Sequence, residues 1–312
     1  MIHSSTLSNI HAPLYVVTCI SNPCRYQTRY KLYREFEKRV NDQGAILYTI
    51  EMAFGNRAFE LTEANDKTDI QVRSSHNIWL KECLLNKAVS HLPLDWEYVA
   101  FLDADIQFCR PDWVKEILHQ LQHHPVVQPF THAIDLSPKF EIIGKHNGFI
   151  YSYRNNLKFN KRYLTWHPGF GIAMTKQAFN DLGGLFDIGI LGSGDRHFME
   201  ALVGEAERGI PTKLHNTPYH KNLIIYQERA LKYIKRNVGY VEGTINHFYH
   251  GKKQDRGYQT RWQILTKNGF NPDLDLKKDS QGVWQLTDNN YKLRDDIHNY
   301  FVSRNEDSID IY

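Results

Sequence analysis

Apolar residues along this chain occur in short unbroken runs that are separated by longer segments with helical periodicity. The runs are rich in Val, Ile, Tyr and Phe, which is typical of strands buried on both faces of a sheet. Strands are predicted over residues 15–20, 45–52, 72–73, 98–102 and 126–130. Because helical segments separate most of these strands, the pattern predicts an α/β, Rossmann-like fold whose mixed, mostly parallel central sheet is flanked by helices.

The helical segments carry apolar stripes and local start signals. A polar capping residue, or a proline suited to the first helical turn, predicts helix starts at Asn22-Pro23, at Ser74 or Ser75, at Pro111 and at Thr175. Further helices are predicted after Asp195 and from Leu223. Gly183 is predicted to end the fourth of these helices. Residues 131–165 show no clean periodicity, so they are predicted to form an irregular lid or acceptor loop.

Three parts of the chain are predicted to differ in organisation. Residues 1–13 are polar and form an N-terminal tail, residues 14–275 form one catalytic domain, and residues 276–312 form a C-terminal extension with some helix. The sequence contains no internal repeat and no Gly/Ser-rich linker, which favours one continuous domain over two.

Composition changes this picture little. Of the 312 residues, 41% are hydrophobic and 23% are charged, as in ordinary globular proteins. The net charge of +3 gives no reason to expect a nucleic-acid partner, and no apolar run approaches the roughly 20 residues that span a bilayer.

The four cysteines form no Cys-x-x-Cys pair, which predicts free thiols in a reducing, cytoplasmic location. The oligomeric state stays open.

Two carboxylates, Asp103 and Asp105, directly follow the strand predicted over residues 98–102. Ligands of α/β folds bind at the carboxyl edge of the sheet, and aspartates placed there commonly hold a divalent cation. Such a cation also takes diphosphate oxygens and acts as a Lewis acid on a leaving diphosphate. The pair therefore predicts a metal site and a phosphorylated substrate, against the alternative of a solvated acidic turn.

Asp195 follows the glycine-rich run Gly192-Ser193-Gly194, in which the backbone can come close to a ligand. Because it stands at a predicted helix start, its carboxylate is either a functional group or an N-cap. The loop from Trp166 to Gly171 combines aromatic residues with glycines. That composition suits either a sugar-stacking platform or an ordinary core turn, and these residues alone leave both alternatives open.

A later segment brings imidazoles and cations together. His247 and His250 are three residues apart, close enough for both to bind one Mn²⁺-like metal. Lys252, Lys253 and Arg256 follow them and are suited to phosphate oxygens. The alternative is a basic surface loop with one structural histidine.

In this order, the motifs resemble those of GT-A-fold glycosyltransferases, and most closely the catalytic domain of the β1,4-galactosyltransferase family. The resemblance covers roughly residues 76–262. The matching segments are Lys81 to Asn86, Phe101 to Asp105, Gly169 to Phe186, Gly192 to Asp195 and His250 to Lys253. Their order along the chain is more specific than any one motif.

The resemblance implies a role for each motif. Asp103, Asp105 and His250 would hold Mn²⁺ or Mg²⁺, and Asp195 would be the general base that takes the proton of an acceptor hydroxyl. The implied reaction is an inverting transfer from a nucleotide sugar, by analogy a UDP-sugar, to a glycan or another hydroxyl acceptor. The implied binding residues are Thr18, Ser21, Lys81, Asn86, Asp103, Lys252 and Lys253 for the nucleotide sugar, and Trp166, Phe170 and Gly192 for the acceptor.

The chain departs from the family's pattern at two places. Gly194 stands where the family has an acidic residue before the base, so only one carboxylate remains in that segment. Ile190 and Leu191 stand where the family has an aromatic residue that stacks on the acceptor, so the identity of the acceptor does not carry over. Two alternatives stay open: a nucleotidyltransferase with the same metal chemistry, and an inactive carbohydrate-binding protein on the same fold.

Overall fold

The computed structural model describes residues 12–159, 166–258 and 260–311. Strands in this part of the chain are β1 (Leu14–Ser21), β2 (Ile46–Phe54), β3 (Asp69–Ser74), β4 (Tyr98–Leu102), β5 (Ile106–Phe108), β6 (Val126–Gln128), β7 (His132–Leu136), β8 (Ile142–Asn147), β9 (Gly171–Thr175), β10 (Val238–Tyr240), β11 (Thr244–His247), β12 (Leu276–Lys278) and β13 (Trp284–Leu286). The helices are α1 (Gln27–Asp42), α2 (Lys81–Val89), α3 (Trp113–Leu121), α4 (Phe149–Arg154), α5 (Lys176–Leu182), α6 (Gly194–Val203), α7 (Pro218–Tyr233), α8 (Trp262–Lys267), α9 (Pro272–Asp275) and α10 (Tyr291–Ser303).

Seven strands form the central sheet in the order β10-β6-β9-β4-β1-β2-β3. Neighbouring strands are parallel except for β9, which runs antiparallel to β4 and β6. Alternate residues of β4, such as Val99 and Ala100, belong to two separate apolar cores. Both faces of the sheet are therefore covered, which explains why its strands read as unbroken apolar runs. The predicted α/β fold with a mixed, mostly parallel sheet is confirmed.

A second sheet of four strands has the order β5-β11-β7-β8. Two of its strands and helix α4 fall within residues 131–165, so the prediction of an irregular loop there is wrong for the residues that the structure describes. Residues 160–165 lie outside them. Strand β7 pairs with β11, more than 100 residues further along the chain, and local periodicity does not encode such a partner.

The start and end signals of α5 act as predicted. The Thr175 hydroxyl accepts a hydrogen bond from the Ala178 backbone N–H at 3.2 Å. Gly183 follows the helix with a left-handed φ of +74°, which glycine adopts at little cost.

Helix α1 begins at Gln27, later than Asn22 and Pro23 predict. The Asn22 amide closes a local turn instead: it bonds the backbone N–H and C=O of Tyr26, each at 2.9 Å. The first amides of α1 donate to the carboxylate of Asp307, from Gln27 and Thr28, each at 2.9 Å. A residue from the other end of the chain therefore caps this helix.

Other helix starts also differ from the predicted positions. Ser74 ends β3, so it cannot cap α2, which begins at Lys81. Helix α3 begins at Trp113, two residues later than predicted, and α7 begins at Pro218, five residues earlier. The missed signal for α7 is Thr217, whose hydroxyl accepts a hydrogen bond from the amide at the third helical position.

The C-terminal residues return to the body of the protein. Strands β12 and β13 pair with each other, α10 follows, and Glu306 is then only 1% exposed. The four cysteines are free, as predicted. Among the described residues, no helix combines the length and the apolar character that crossing a membrane requires.

Candidate functional site

A cavity of about 610 Å³ lies at the carboxyl edge of β1 and β4. These strands are parallel neighbours, so the last four residues of β1 and the segment that follows β4 line it together. Sequence-predicted site residues that line the cavity are Thr18, Ser21, Lys81, Asp103, Asp105, Trp166, Phe170, Gly192, Asp195, His250 and Lys253.

Two predicted nucleotide-binding residues are not among the described residues that line the cavity. The Asn86 amide bonds the backbone of Leu185, donating to its C=O at 2.9 Å and accepting from its N–H at 2.7 Å. It thereby fixes the turn after α5. The Lys252 ammonium lies 3.7 Å from a carboxylate oxygen of Asp310.

Asp103 and Lys81, which both line the cavity, form an ion pair. The Asp103 backbone N–H donates to the C=O of Phe170 at 3.0 Å, and the Thr18 hydroxyl donates to the C=O of Leu102 at 2.8 Å. These bonds fix the backbone at the end of β4. Burial alone would lower the pKa of Lys81, but Asp103 and other carboxylates outweigh it and raise that pKa.

Asp105, His247 and His250 bring three ligand atoms within 4.8 Å of one another. Asp105 Oδ2 lies 2.9 Å from His250 Nε2 and 3.8 Å from His247 Nε2. The other carboxylate oxygen, Oδ1, is buried without a hydrogen-bond partner. Two imidazoles and one carboxylate, whose second oxygen has no partner, suit a divalent ion such as Mn²⁺. Asp103, a predicted ligand, is paired with Lys81 and is not part of this cluster.

Each imidazole of the cluster has a carboxylate at its other nitrogen. His247 Nδ1 donates to Asp135 Oδ1 at 2.7 Å, and a carboxylate bonded in this way orients the ring and makes the ligating nitrogen more basic. His250 Nδ1 lies 3.5 Å from Glu306 Oε2 and makes no hydrogen bond within the described part of the chain, so Glu306 acts on it through its charge. Both Nε2 atoms face Asp105.

Burial and charge set the ionisation of the cluster. Burial lowers the pKa of His247, which favours the neutral imidazole that binds metals. Burial would raise the pKa of Asp105, but the imidazoles of His250 and His247 outweigh it and hold that pKa well below its usual range. Arg256 adds positive charge, since its Nη2 lies 2.9 Å from His250 Nε2.

Asp195 is the second residue of α6 and is not its N-cap, so the N-cap alternative is wrong. The N-cap position belongs to Ser193, which has a left-handed φ of +73° and whose hydroxyl accepts a hydrogen bond from Arg261. Asp195 Oδ1 accepts from the backbone N–H of Arg196 at 2.7 Å. Its other oxygen reaches the Trp166 to Gly171 loop: a Cβ at Gly169 would lie 2.6 Å from Oδ2.

The predicted acceptor residues pack in different ways. The Phe170 ring stacks on His167 at 4.1 Å and lies 4.6 Å from His247, so it packs against the cluster. Trp166 contacts Phe149 edge to face, and the Arg208 guanidinium lies 4.7 Å from its ring. Gly192 has φ of +88°.

Sequence reasoning missed three acidic residues of the site: Glu82, Asp135 and Glu306. Asp135 lies in the segment predicted to be irregular, and Glu306 lies in the predicted extension. Glu82 stands beside Lys81 in a matching motif, and this adjacency was the one available signal. All three are at most 5% exposed. Their burial depends on long-range packing, which the local pattern does not reveal.

We expect Glu306→Gln to lower Mn²⁺ affinity by about 10- to 100-fold, because His250 loses the carboxylate behind it. Isothermal titration with Mn²⁺ measures this without any substrate. Asp307→Asn is the matched control: it removes a carboxylate from the same segment that bonds α1 instead of His250. Equal Mn²⁺ affinities in the two variants would contradict this role of Glu306.

No protein-family model matches the chain, and no curated protein matches it. One solved structure that is similar to it is a mutant of β1,4-galactosyltransferase 7 from Drosophila in complex with manganese, UDP-Gal and xylobiose. The two chains share 9% identity with a TM-score of 0.35. The similarity covers 62% of this chain, and the chain spans 62% of that structure's length.

Two other similar structures cover more of the chain. Glucosyl-3-phosphoglycerate synthase from Mycobacterium tuberculosis, in complex with Mn²⁺, UDP and phosphoglyceric acid, shares 12% identity over 89% of this chain and 87% of its own, with a TM-score of 0.37. A 4-diphosphocytidyl-2C-methyl-D-erythritol synthase from Anaerococcus prevotii shares 10% identity over 74% of this chain and 87% of its own, with a TM-score of 0.35. With TM-scores this low, the function proposed below rests on the geometry of the site.

Proposed function

We propose that this protein is a metal-dependent glycosyltransferase that moves a sugar from a nucleotide sugar, of which a UDP-sugar is the first candidate, to an acceptor hydroxyl with inversion. One observation carries the proposal. The Asp105-His247-His250 cluster and the Asp195 carboxylate, which lie far apart in the chain, line one cavity at the carboxyl edge of the sheet. A cation site and a separate carboxylate in one cavity are the groups that a diphosphate leaving group and a hydroxyl nucleophile need.

Asp105, His247 and His250 would hold the cation, which when bound neutralises diphosphate charge and stabilises the leaving group. Lys81, Lys253 and Arg256 also line the cavity, and such cations can meet phosphate oxygens. The Lys253 ammonium forms an ion pair with the Asp135 carboxylate. To bind phosphate, it would have to contact the ligand and Asp135 together.

Asp195 would act as the general base. It takes the proton of the acceptor hydroxyl while that oxygen forms a bond to the anomeric carbon. The bond from this carbon to the diphosphate oxygen breaks, and its electron pair leaves with the nucleoside diphosphate. Attack from the side opposite the leaving group inverts the anomeric configuration.

A thermal-shift experiment with UDP and Mn²⁺ tests donor binding. A ligand that binds only the folded protein stabilises it by mass action, by about 2.7 kcal/mol at a hundred times its dissociation constant. We expect UDP plus Mn²⁺ to raise Tm more than Mn²⁺ alone, and EDTA to abolish the gain from UDP. A response to free sugars without any response to UDP would favour a carbohydrate-binding protein.

Turnover is tested by UDP release from a panel of UDP-sugars, with Mn²⁺ or with EDTA. Metal-dependent release from at least one donor is expected, since water replaces the acceptor at a low rate. If no nucleotide sugar is consumed but a nucleoside triphosphate is, the nucleotidyltransferase alternative replaces the proposal.

A further inference from the structure

Glu82 is a buried acidic residue at the same cavity, and the proposed reaction gives it no role so far. It is the second residue of α2, is 5% exposed, and lines the cavity together with Asp195. No other residue in the described part of the chain donates a hydrogen bond to its carboxyl. Buried carboxyls are ordinarily bonded, so one that faces a cavity without a donor is suited to a ligand.

Gly194 leaves the space that the Glu82 carboxyl fills. A Cβ atom at position 194 would lie 2.3 Å from Glu82 Cδ and 2.5 Å from Oε1, and the atoms nearest to it all belong to Glu82. The φ of Gly194 is not left-handed, so the backbone itself does not require glycine there. The close approach of Glu82 to the start of α6 therefore explains the glycine.

Glu82 adjoins Lys81 in the chain and the start of α6 in space. Its chain neighbour Lys81 pairs with Asp103, at the end where the donor's diphosphate is expected. Its own carboxyl touches Gly194, the residue before Asp195. In the proposed reaction, the transferred sugar is bonded to the diphosphate on one side and faces the base on the other.

We propose that the Glu82 carboxyl hydrogen-bonds a hydroxyl of the transferred sugar and thereby selects the donor. This inference rests on the proposed function and names a specificity residue for it. A site whose buried polar group is paired by a substrate hydroxyl disfavours sugars that lack or misplace that hydroxyl, because the group is then left unpaired.

The ionisation of Glu82 suits this role. Burial raises its pKa to about 7; Lys81 opposes the shift, and the carboxylates of Asp195 and Asp103 add to it. The buried Tyr219 hydroxyl on α7 and the Cys19 thiol on β1 are further titratable groups that interact with Glu82. Near neutral pH the carboxyl can therefore either donate to a sugar oxygen or accept from a sugar hydroxyl.

The test compares Glu82→Gln and Glu82→Ala with the unsubstituted protein on UDP-glucose, UDP-galactose, UDP-xylose and UDP-N-acetylglucosamine, with UDP release as the readout. For the preferred donor, kcat/KM should fall about 10- to 100-fold in Glu82→Ala. The ratio of kcat/KM for the best donor to kcat/KM for the poorest donor should decrease. The Mn²⁺-dependent affinity for UDP, which lacks the sugar, should stay the same. Glu228→Gln, exposed on α7, is the control and should change neither quantity.

Each other outcome overturns the inference. Unchanged kcat/KM and donor ranking in both variants would mean that Glu82 does not contact the sugar. An equal loss for every donor would indicate a general base, and loss of UDP binding would indicate a purely structural residue. If the unsubstituted protein binds UDP with Mn²⁺ but consumes no donor, the proposed function fails first, and the inference falls with it.

Gly194→Ala tests the geometry by a second route. Its methyl group needs the space of the Glu82 carboxyl, so it should lower kcat/KM in the presence of Glu82 and add nothing to Glu82→Ala. Independent, additive effects would contradict the arrangement.

A measurement without substrate is also available. Because the pKa of Glu82 rises from its ordinary 4.5 to about 7 on folding, the folded protein holds this proton more tightly. The free energy of unfolding should therefore fall as the pH rises between these values, and Glu82→Gln should flatten the fall. An identical pH slope in both proteins would overturn the placement of Glu82.

Discussion

The Asp195→Asn variant should transfer sugar about 10² to 10⁴ times more slowly than the unsubstituted protein, because an amide cannot take the proton of the acceptor hydroxyl. The asparagine keeps the shape of the side chain and can still accept a hydrogen bond from the Arg196 amide. We therefore expect α6 to stay in place, and binding of UDP with Mn²⁺ to match the unsubstituted protein. The measurement pairs single-turnover transfer rates with titration of UDP.

Asp181→Asn is the matched control. It makes the same chemical change on α5, where Asp181 accepts a hydrogen bond from Gln177 at an exposed position. Its turnover should be unchanged. If Asp195→Asn keeps full turnover while Glu82→Gln loses it for every donor, Glu82 is the general base. Asp195 is then not the base, and Glu82 is not the residue that selects the donor.

Five of the seven strands of the central sheet could be predicted, because burial on both faces leaves a local signature, whereas β9 and β10 were not among the predicted strands. Strand β4 is apolar at every position, and its ends in the structure are those that the sequence indicates. The second sheet left no such signature. Strand β8 has three exposed positions among its six residues, and β7 and β11 owe their pairing to contacts between distant segments. Partner choice of this kind is a tertiary property, and a single sequence read locally does not contain it.

The same division applies to the site. Asp105 and His250 could be predicted because each lies in a short motif whose order resembles a known family. Glu306 could not, because it depends on how the last residues dock: Arg29 Nη2 and Arg304 Nε each donate a hydrogen bond to its Oε1 at 2.7 Å. The predicted extension also reaches the cavity wall itself, through Phe301 and Arg304.

The Asp105→Ala variant should lose more Mn²⁺ affinity than the about 10- to 100-fold that removal of an outer carboxylate costs, because it removes a ligand outright. Since the cation is expected to hold the diphosphate, UDP affinity in the presence of Mn²⁺ should fall to its value in EDTA. Titration of Mn²⁺ followed by electron paramagnetic resonance measures the first effect, and calorimetry with UDP measures the second. Mn²⁺ affinity that survives Asp105→Ala would move the metal site away from this cluster.

His247→Ala and His250→Ala complete the comparison, because Asp105 lies closer to His250 than to His247. If both imidazoles are ligands, each variant should lower Mn²⁺ affinity. Each of these losses of affinity should be larger than the loss in Glu306→Gln. A loss confined to His250→Ala would make His247 a spacer that Asp135 holds in place. In that case the second ligand position belongs to another oxygen of the cavity, and Asp103, once released from Lys81, is the carboxylate that can supply it.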